Sequence, residues 1–337
     1  MVSVEPGTSL QVVVSARTDV GRVRDANEDA FSITELQSGF AIDAFDADRA
    51  VDVGQRGLLL ALSDGMGGHQ AGEVASALVV EVLQAELQRA EDGPIVHLFE
   101  EAVRRANGAV HAAAQRADRR GMGATLVAVF IRGTQAYIAE VGDSRAYLLR
   151  GGRLRQITRD QSMVQLLVDQ GIMTAREARN APGRNVILQA MGLLPDVRVA
   201  IGRLELRRTD RLLLCSDGVT NALTDDELRG ILTESSPREA CETMIALANE
   251  RGGHDNETVI VADVHGQALV APPEFETVTS TYEVLQAFHP AKRPPGIPAY
   301  LPPSDSVPEL VDEDLEPEIH VLDGDRQQWI DTLRSRK

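Results

Sequence analysis

The sequence predicts an α+β domain in which antiparallel sheets stack face to face with helices outside. Eight short apolar runs bounded by turn residues read as strands, at 10–14, 57–62, 124–131, 136–140, 145–149, 197–201, 211–215 and 258–262. The stretch AYIAEVGDSRAYLLRGGRLRQIT turns back at Gly142-Asp143 and again at Gly151-Gly152, which makes its three short strands antiparallel. Helical patterns occupy 72–91, 95–118, 161–170, 174–180, 224–233 and 237–251. Long amphipathic helices between antiparallel strands favour packed sheets with an outer helical layer over a doubly wound parallel sheet. Thr224 followed by Asp225 and Asp226 is an N-cap start signal for the helix at 224–233.

Residues 8–264 read as one mixed domain, and 337 residues suffice for a sizeable core. Composition breaks near residue 266. The remainder holds ten of the fifteen prolines and the acidic run ELVDEDLEPE, with 13 acidic against 6 basic residues. Prolines at that density disfavour long helices and central strands. The domain is therefore expected to span 1–265, with 266–337 an acidic, proline-rich, largely disordered tether. The last stretch, DRQQWIDTLRSRK, reads either as a short helix carrying Trp329 or as a frayed end.

A formal charge of −17 argues against nucleic acid as a partner, because phosphate backbones select basic faces. No segment approaches the roughly 20 apolar residues of a membrane span. The N-terminus lacks the basic region of a signal peptide. Cys215 and Cys241, both in apolar surroundings, read as core thiols of a reducing compartment, so the expected location is the cytoplasm.

The chemistry is written at strand ends. LLLALSDGMGG and RLLLCSDGVT each drive an apolar strand into a carboxylate, Asp64 or Asp217, followed by glycine. Asp143 sits in the turn EVGDSRAY, and Asp255 heads the strand in GGHDNETVIVADV. A carboxylate there is either solvated or paired with something positive. If several converge, cations must separate them. An all-oxygen donor set without zinc-spaced His or Cys selects Mg²⁺ or Mn²⁺. DADRAVDVG at 46–54 departs from a calcium loop at Ala50 and Val51, and residues 39–56 read as a solvated excursion.

In order, VRDANEDAF, LSDGMGGHQAGEVAS, GMGATLVAVF, VGDSRAYLL, QITRDQSM, RNVILQAMG, LLLCSDGV and GGHDNETVIVADV resemble the bacterial branch of the protein phosphatase 2C family of metal-dependent serine/threonine phosphatases. The resemblance covers roughly 8–264 and implies an α/β/β/α sandwich of two antiparallel sheets flanked by helices. It implies that Asp64 bridges two Mn²⁺ or Mg²⁺ ions, with the Gly65 carbonyl on one and Asp217 and Asp255 on the other. Glu28 and Asp29 would hold metal-bound waters. Asp143 with Asp217 would take a third, weaker ion, and Arg24 would grip the substrate phosphate.

Asp64, Asp217 and Arg24 are the expected catalytic residues, with water attacking phosphoserine or phosphothreonine in place of a covalent phosphoenzyme. Met66 stands where animal members carry histidine, which leaves the general acid unnamed. Asp160 reads as an anchor of the following segment, SMVQLLVDQGIMTAREARNAPGRN, which resembles the helical flap beside the cleft. The implied partners are phosphorylated proteins and a cognate Ser/Thr kinase, for a monomer. The competing reading is a phosphatase-like binding or regulatory module with weak or no catalysis. Against it, Asp64, Asp217 and Asp255 are all present.

Overall fold

The computed structural model describes residues 10–39, 41–42, 47–67, 71–91 and 93–290. In chain order come β1 (Gln11–Asp19), β2 (Asp29–Glu35), β3 (Arg49–Asp52), β4 (Leu58–Met66), α1 (Ala71–Arg89) and α2 (Ile95–Ala113). Next are β5 (Gly123–Ala124), β6 (Leu126–Arg132), β7 (Gln135–Val141), β8 (Arg145–Arg150), β9 (Arg153–Gln156), α3 (Met163–Asp169) and α4 (Ala175–Ala178). β10 (Ala200–Glu205), β11 (Arg211–Cys215), α5 (Asp217–Ala222), α6 (Asp225–Glu234), α7 (Pro237–Glu250), β12 (Glu257–His265) and β13 (Tyr282–Gln286) follow. The described residues form two units, one built from 10–160 and 190–288, the other from 161–189.

The larger unit holds two antiparallel sheets. One runs β3-β1-β12-β11-β8-β9 and the other β13-β10-β7-β6-β4-β2, with β5 against the end of β4. Successive side chains of a strand point to opposite faces, and in β4 both faces are covered. Leu58, Leu60 and Leu62 pack between the sheets with Val12, Val14, Leu212, Leu214 and Ile260. Leu59 and Ala61 face the other way, among Val79, Leu83, Phe99 and Val103 of α1 and α2. On the far side, Leu213 and Val261 meet Val219, Leu228 and Met244 of α5, α6 and α7. The predicted helix–sheet–sheet–helix order is therefore observed. Burial on both faces is why these strands read as unbroken apolar runs, not as alternating ones. Each fully buried Leu of β4 contributes about 1.5–3 kcal/mol. Truncating one to Ala would cost about 2–5 kcal/mol because a cavity remains.

The helix starts follow their sequence signals. Thr224 and Ser236 each form a capping box, with Glu227 and Glu239, at the starts of α6 and α7. In the smaller unit, Ser162 caps α3, Thr174 and Glu177 box α4, and Val164, Met173 and Ala181 form a small core.

The structure departs from expectation in several places. β2 and the short α5 are additional to the predicted elements. The strand expected at 197–201 forms at 200–205, and α2 ends at Ala113, not at 118. The loop at 39–56 is not wholly solvated: β3 pairs with β1, and the Asp48 carboxylate accepts the Arg238 N–H at the start of α7.

The folded chain also continues past 265. β13 pairs with β10 on the edge of its sheet, and its approach is fastened by charge. Arg150 donates to both Asp210 oxygens at 2.7 and 2.6 Å, to Thr281 Oγ1 at 2.6 Å and to Glu276 at 3.3 Å. Arg207 makes a bidentate pair with Glu276 at 2.8 and 2.9 Å. A proline-rich composition masked a segment that ion pairs hold in place. The region around Trp329 lies outside the described residues.

Candidate active site

Asp64 lies near the end of β4, directly opposite Asp29 of β2. Its backbone is fixed by Thr125, whose hydroxyl accepts the Asp64 N–H at 3.0 Å and whose N–H donates to the Asp64 carbonyl at 2.8 Å. Gly65 is required by closeness, since a Cβ there would collide with the carbonyls of Gly72 and Glu28. The glycine leaves room for the residue before β2 on one side and the start of α1 on the other.

Asp217 occupies the first turn of α5 and accepts Asn221 Nδ2 at 3.0 Å. The glycine after it has the same origin: a Cβ on Gly218 would run into the Asn256 carbonyl beside Asp255. Each S-D-G is therefore a place where a carboxylate is delivered to a crowded junction between elements.

Asp255 sits just before β12. One of its oxygens accepts the Asn256 N–H and the other accepts Arg24 at 2.9 Å. Arg24, about half exposed, is thus paired with a residue expected to bind metal. Burial alone would lower the Arg24 pKa, but Asp255, Glu28 and Asp64 more than reverse that, and the net shift is upward. Asn256, unmarked in the sequence reading, ties the region together. Its Nδ2 donates to the Val20 and Ala26 carbonyls and its Oδ1 accepts the Glu28 N–H at 2.8 Å. Its position beside Asp255 in HDNET was the available signal.

The Glu28 carboxylate lies against Gly72 and takes a backbone hydrogen bond from it, at the electropositive start of α1. Burial still raises its pKa on balance. Asp29 accepts Ser216 Oγ at 2.8 Å and Thr258 Oγ1 at 2.6 Å, both on Oδ2. Its Oδ1 is buried with no hydrogen-bond partner. Leaving a buried acceptor unsatisfied costs about 1–3 kcal/mol.

Asp143, in the turn between β7 and β8, is pushed well above the usual carboxylate range by burial and then by the charges of Asp217 and Asp160. Asp160 is tied to β8 and β9: Arg145 holds both of its oxygens at 2.6 to 3.0 Å, and Gln156 adds a bond at 2.7 Å.

These carboxylates feel one another. Burial pushes Asp64 well above the usual carboxylate range, and the charges of Asp29, Asp217, Asp255 and Asp143 push it further. Burial, partly offset by the Thr258 and Ser216 hydroxyls, and then Asp217 and Asp255 bring Asp29 to about 7. Asp217, within hydrogen-bonding reach of Asp64, is brought to about 6 by burial and by Asp255. Among the described residues no three His, Cys, Asp or Glu side chains form a ready-made metal cage. The meeting at one spot that the sequence implied is therefore electrostatic clustering rather than a closed ligand shell. The donor chemistry nonetheless fits a hard divalent ion: oxygens only, like charges without enough counter-charge, and an orphaned acceptor at Asp29.

Cys215, at the end of β11, is fully buried, and burial pushes its thiol up to about 12. A thiolate nucleophile is absent there at neutral pH.

Fold and donor set define a class, an α/β/β/α sandwich carrying a carboxylate centre suited to divalent cations. The family model for protein phosphatase 2C matches residues 41–263. The serine/threonine phosphatase Stp of Listeria welshimeri is 36% identical over 255 residues, covering 73% of this chain and 94% of its own. The serine/threonine protein phosphatase PstP of Mycobacterium tuberculosis is 40% identical over 251 residues, 74% of this chain. That match takes in only 44% of PstP's length. Among solved structures, Stp1 of Staphylococcus aureus has a TM-score of 0.67 at 33% identity, covering 78% of this chain and 98% of its own. The PstP catalytic domain in complex with two manganese ions has a TM-score of 0.63 at 37% identity, covering 76% and 99%. The chain belongs to the protein phosphatase 2C family.

Proposed function

We propose that this chain hydrolyses phosphoserine and phosphothreonine on proteins in a reaction dependent on Mn²⁺ or Mg²⁺, opposing a Ser/Thr kinase. The observation that carries the reading is the clustering of Asp29, Asp64, Asp143, Asp217 and Asp255, like charges that Arg24 and Arg145 only partly balance. The manganese in a solved relative and the phosphatase names of the relatives support it.

In this reading Asp64, the Gly65 carbonyl, Asp217 and Asp255 hold two ions, and Asp143 with Asp217 takes a third, weaker one. Glu28 and Asp29 order the water around them. When bound, such ions supply Lewis acidity, acidifying water and neutralising charge on phosphoryl oxygens. The protein's own part is to gather the donors and orient the phosphate. Arg24 makes one hydrogen bond to Asp255 and keeps further N–H donors for charge-assisted bonds to phosphoryl oxygens. The buried, neutral Cys215 leaves attack to water, with no phosphoenzyme.

No helix among the described residues is long and apolar enough to cross a membrane. The setting we assign is the cytoplasm, as a monomer. The direct test is phosphate release from a phosphothreonine peptide with Mn²⁺, with EDTA, and with Asp217→Asn. Turnover is expected only for the wild type with Mn²⁺. Activity persisting in EDTA after dialysis would require a different mechanism.

A further inference from the structure

The carboxylate of Asp29 is held in an asymmetric way that the catalytic reading does not use. Oδ2 accepts two hydroxyl hydrogen bonds, from Ser216 just after β11 and from Thr258 in β12. Both come from the sheet opposite the one that carries Asp29. Oδ1 is equally buried and accepts nothing.

The proton directions around this clamp follow from counting donors. The Thr258 hydroxyl has one proton, and the carboxylate takes it. The 2.7 Å contact between the Thr258 and Thr18 hydroxyls must then be donated by Thr18. Thr18 in turn accepts Asn27 Nδ2 at 2.8 Å. Ser216 likewise gives its single proton to Asp29 and accepts the Thr258 N–H at 2.9 Å. Asn27, Thr18 and Thr258 thus form a chain of donors all pointing at one oxygen, each bond polarising the next. A carboxylate satisfied so fully on one side and left bare on the other is oriented, not merely buried.

We propose that Ser216 and Thr258 are positioning residues of the metal centre, fixing Oδ2 so that Oδ1 is presented, free of protein donors, to the cation-bearing cluster. Thr18 and Asn27 reinforce Thr258 from behind. The proposal rests on the metal-dependent reading above. It assigns to two hydroxyls in otherwise apolar strand ends a role that packing alone would not need, since either could be replaced by an alkyl group of similar size.

The test is Mn²⁺ binding by titration calorimetry on the full chain, with thermal unfolding in EDTA alongside. Partners that orient the groups around a metal are typically worth 10- to 100-fold in metal affinity, and the lower end applies to Asp29, which acts through water. Thr258→Val and Ser216→Ala are each expected to weaken Mn²⁺ binding about tenfold, and Thr258→Ser to restore it. Thr18→Val, which leaves the direct bond intact, is expected to weaken it about two- to threefold, and this variant keeps the test open if Thr258→Val does not fold. Wild-type affinity in all the variants, with only the unfolding temperature lowered, would mean that the hydroxyls merely join the sheets, and the proposal would fall while the metal reading stood. A wild-type chain that binds no Mn²⁺ would overturn both.

Discussion

Two groups of buried charge lie in the same sandwich and are balanced differently. Burial raises the Asp210 pKa on balance, but every neighbour pulls the other way: two bonds from Arg150, the Arg207 backbone N–H, and the charges of both arginines. Around Asp64, burial and the four neighbouring aspartates all push upward. The first group is closed within the chain, and its arginines fasten the segment leading to β13. The second is open, and its charge is completed only from outside. Acidity in a core therefore says little by itself. The identity of the neighbouring charges separates a fastening from a receptor.

That contrast can be broken most forcefully at Arg150. Removing one partner of a buried pair leaves the other uncompensated, so Arg150→Met is expected to cost about 3–5 kcal/mol, read as a lower urea midpoint. The double replacement Arg150→Met with Asp210→Leu should recover most of it. If the single variant were as stable as wild type, the closed character of that group would be disproved. At the open group, Asp217→Asn is expected to lower kcat/KM with Mn²⁺ by about 10³-fold, the loss of roughly 4 kcal/mol of transition-state stabilisation.

The sign of the stability effect sharpens the comparison further. In EDTA, Asp64→Asn relieves repulsion and should stabilise the fold by roughly 1–3 kcal/mol, read as a higher urea midpoint, where Arg150→Met lowers it. Mn²⁺ should reverse that order by stabilising the wild type more than the variant, as a ligand that binds only the folded chain must.

A pH series probes the same group more gently. Asp29 at about 7, Asp217 at about 6 and Glu257 at about 7 titrate higher in the folded chain than the ordinary carboxylate values of about 4. A raised folded-state pKa means that stability is present at low pH and is lost as pH rises through the folded value. Without metal, unfolding midpoints should therefore fall between pH 5 and pH 7.5, and added Mn²⁺ should flatten the trend. The smallest expected change is Glu257→Gln, which should remove part of that slope in EDTA and leave the midpoint at pH 5 nearly unaltered.

The sandwich was legible where burial is two-sided. In β4, β6 and β11 the apolar runs had to be core strands, and the capping residue Thr224 marked a helix start because local hydrogen bonding alone decides it. β2 hid behind its own function, its first residue being one of the acidic motif. β3 and β13 were hidden because edge strands bury one face at most, and β13 follows prolines that argue for linker. At the site, Asp64 and Asp217 stood out as carboxylates ending apolar runs. The work of Ser216 and Thr258 was not visible, because each acts on a residue far away in sequence that only the stacking of two sheets brings near. Nor could the pairing of Arg24 with Asp255 be foreseen, since it belongs to the balance of charges in space and not to any motif.

The fastening at Glu276 has a bearing on how the protein should be cut. A fragment ended at residue 263, where the family match stops, would strip β10 of its outer neighbour and leave the buried Arg150 facing the gap vacated by Glu276 and Thr281. A piece that keeps these partners and the β13 edge has to run at least through Gln286.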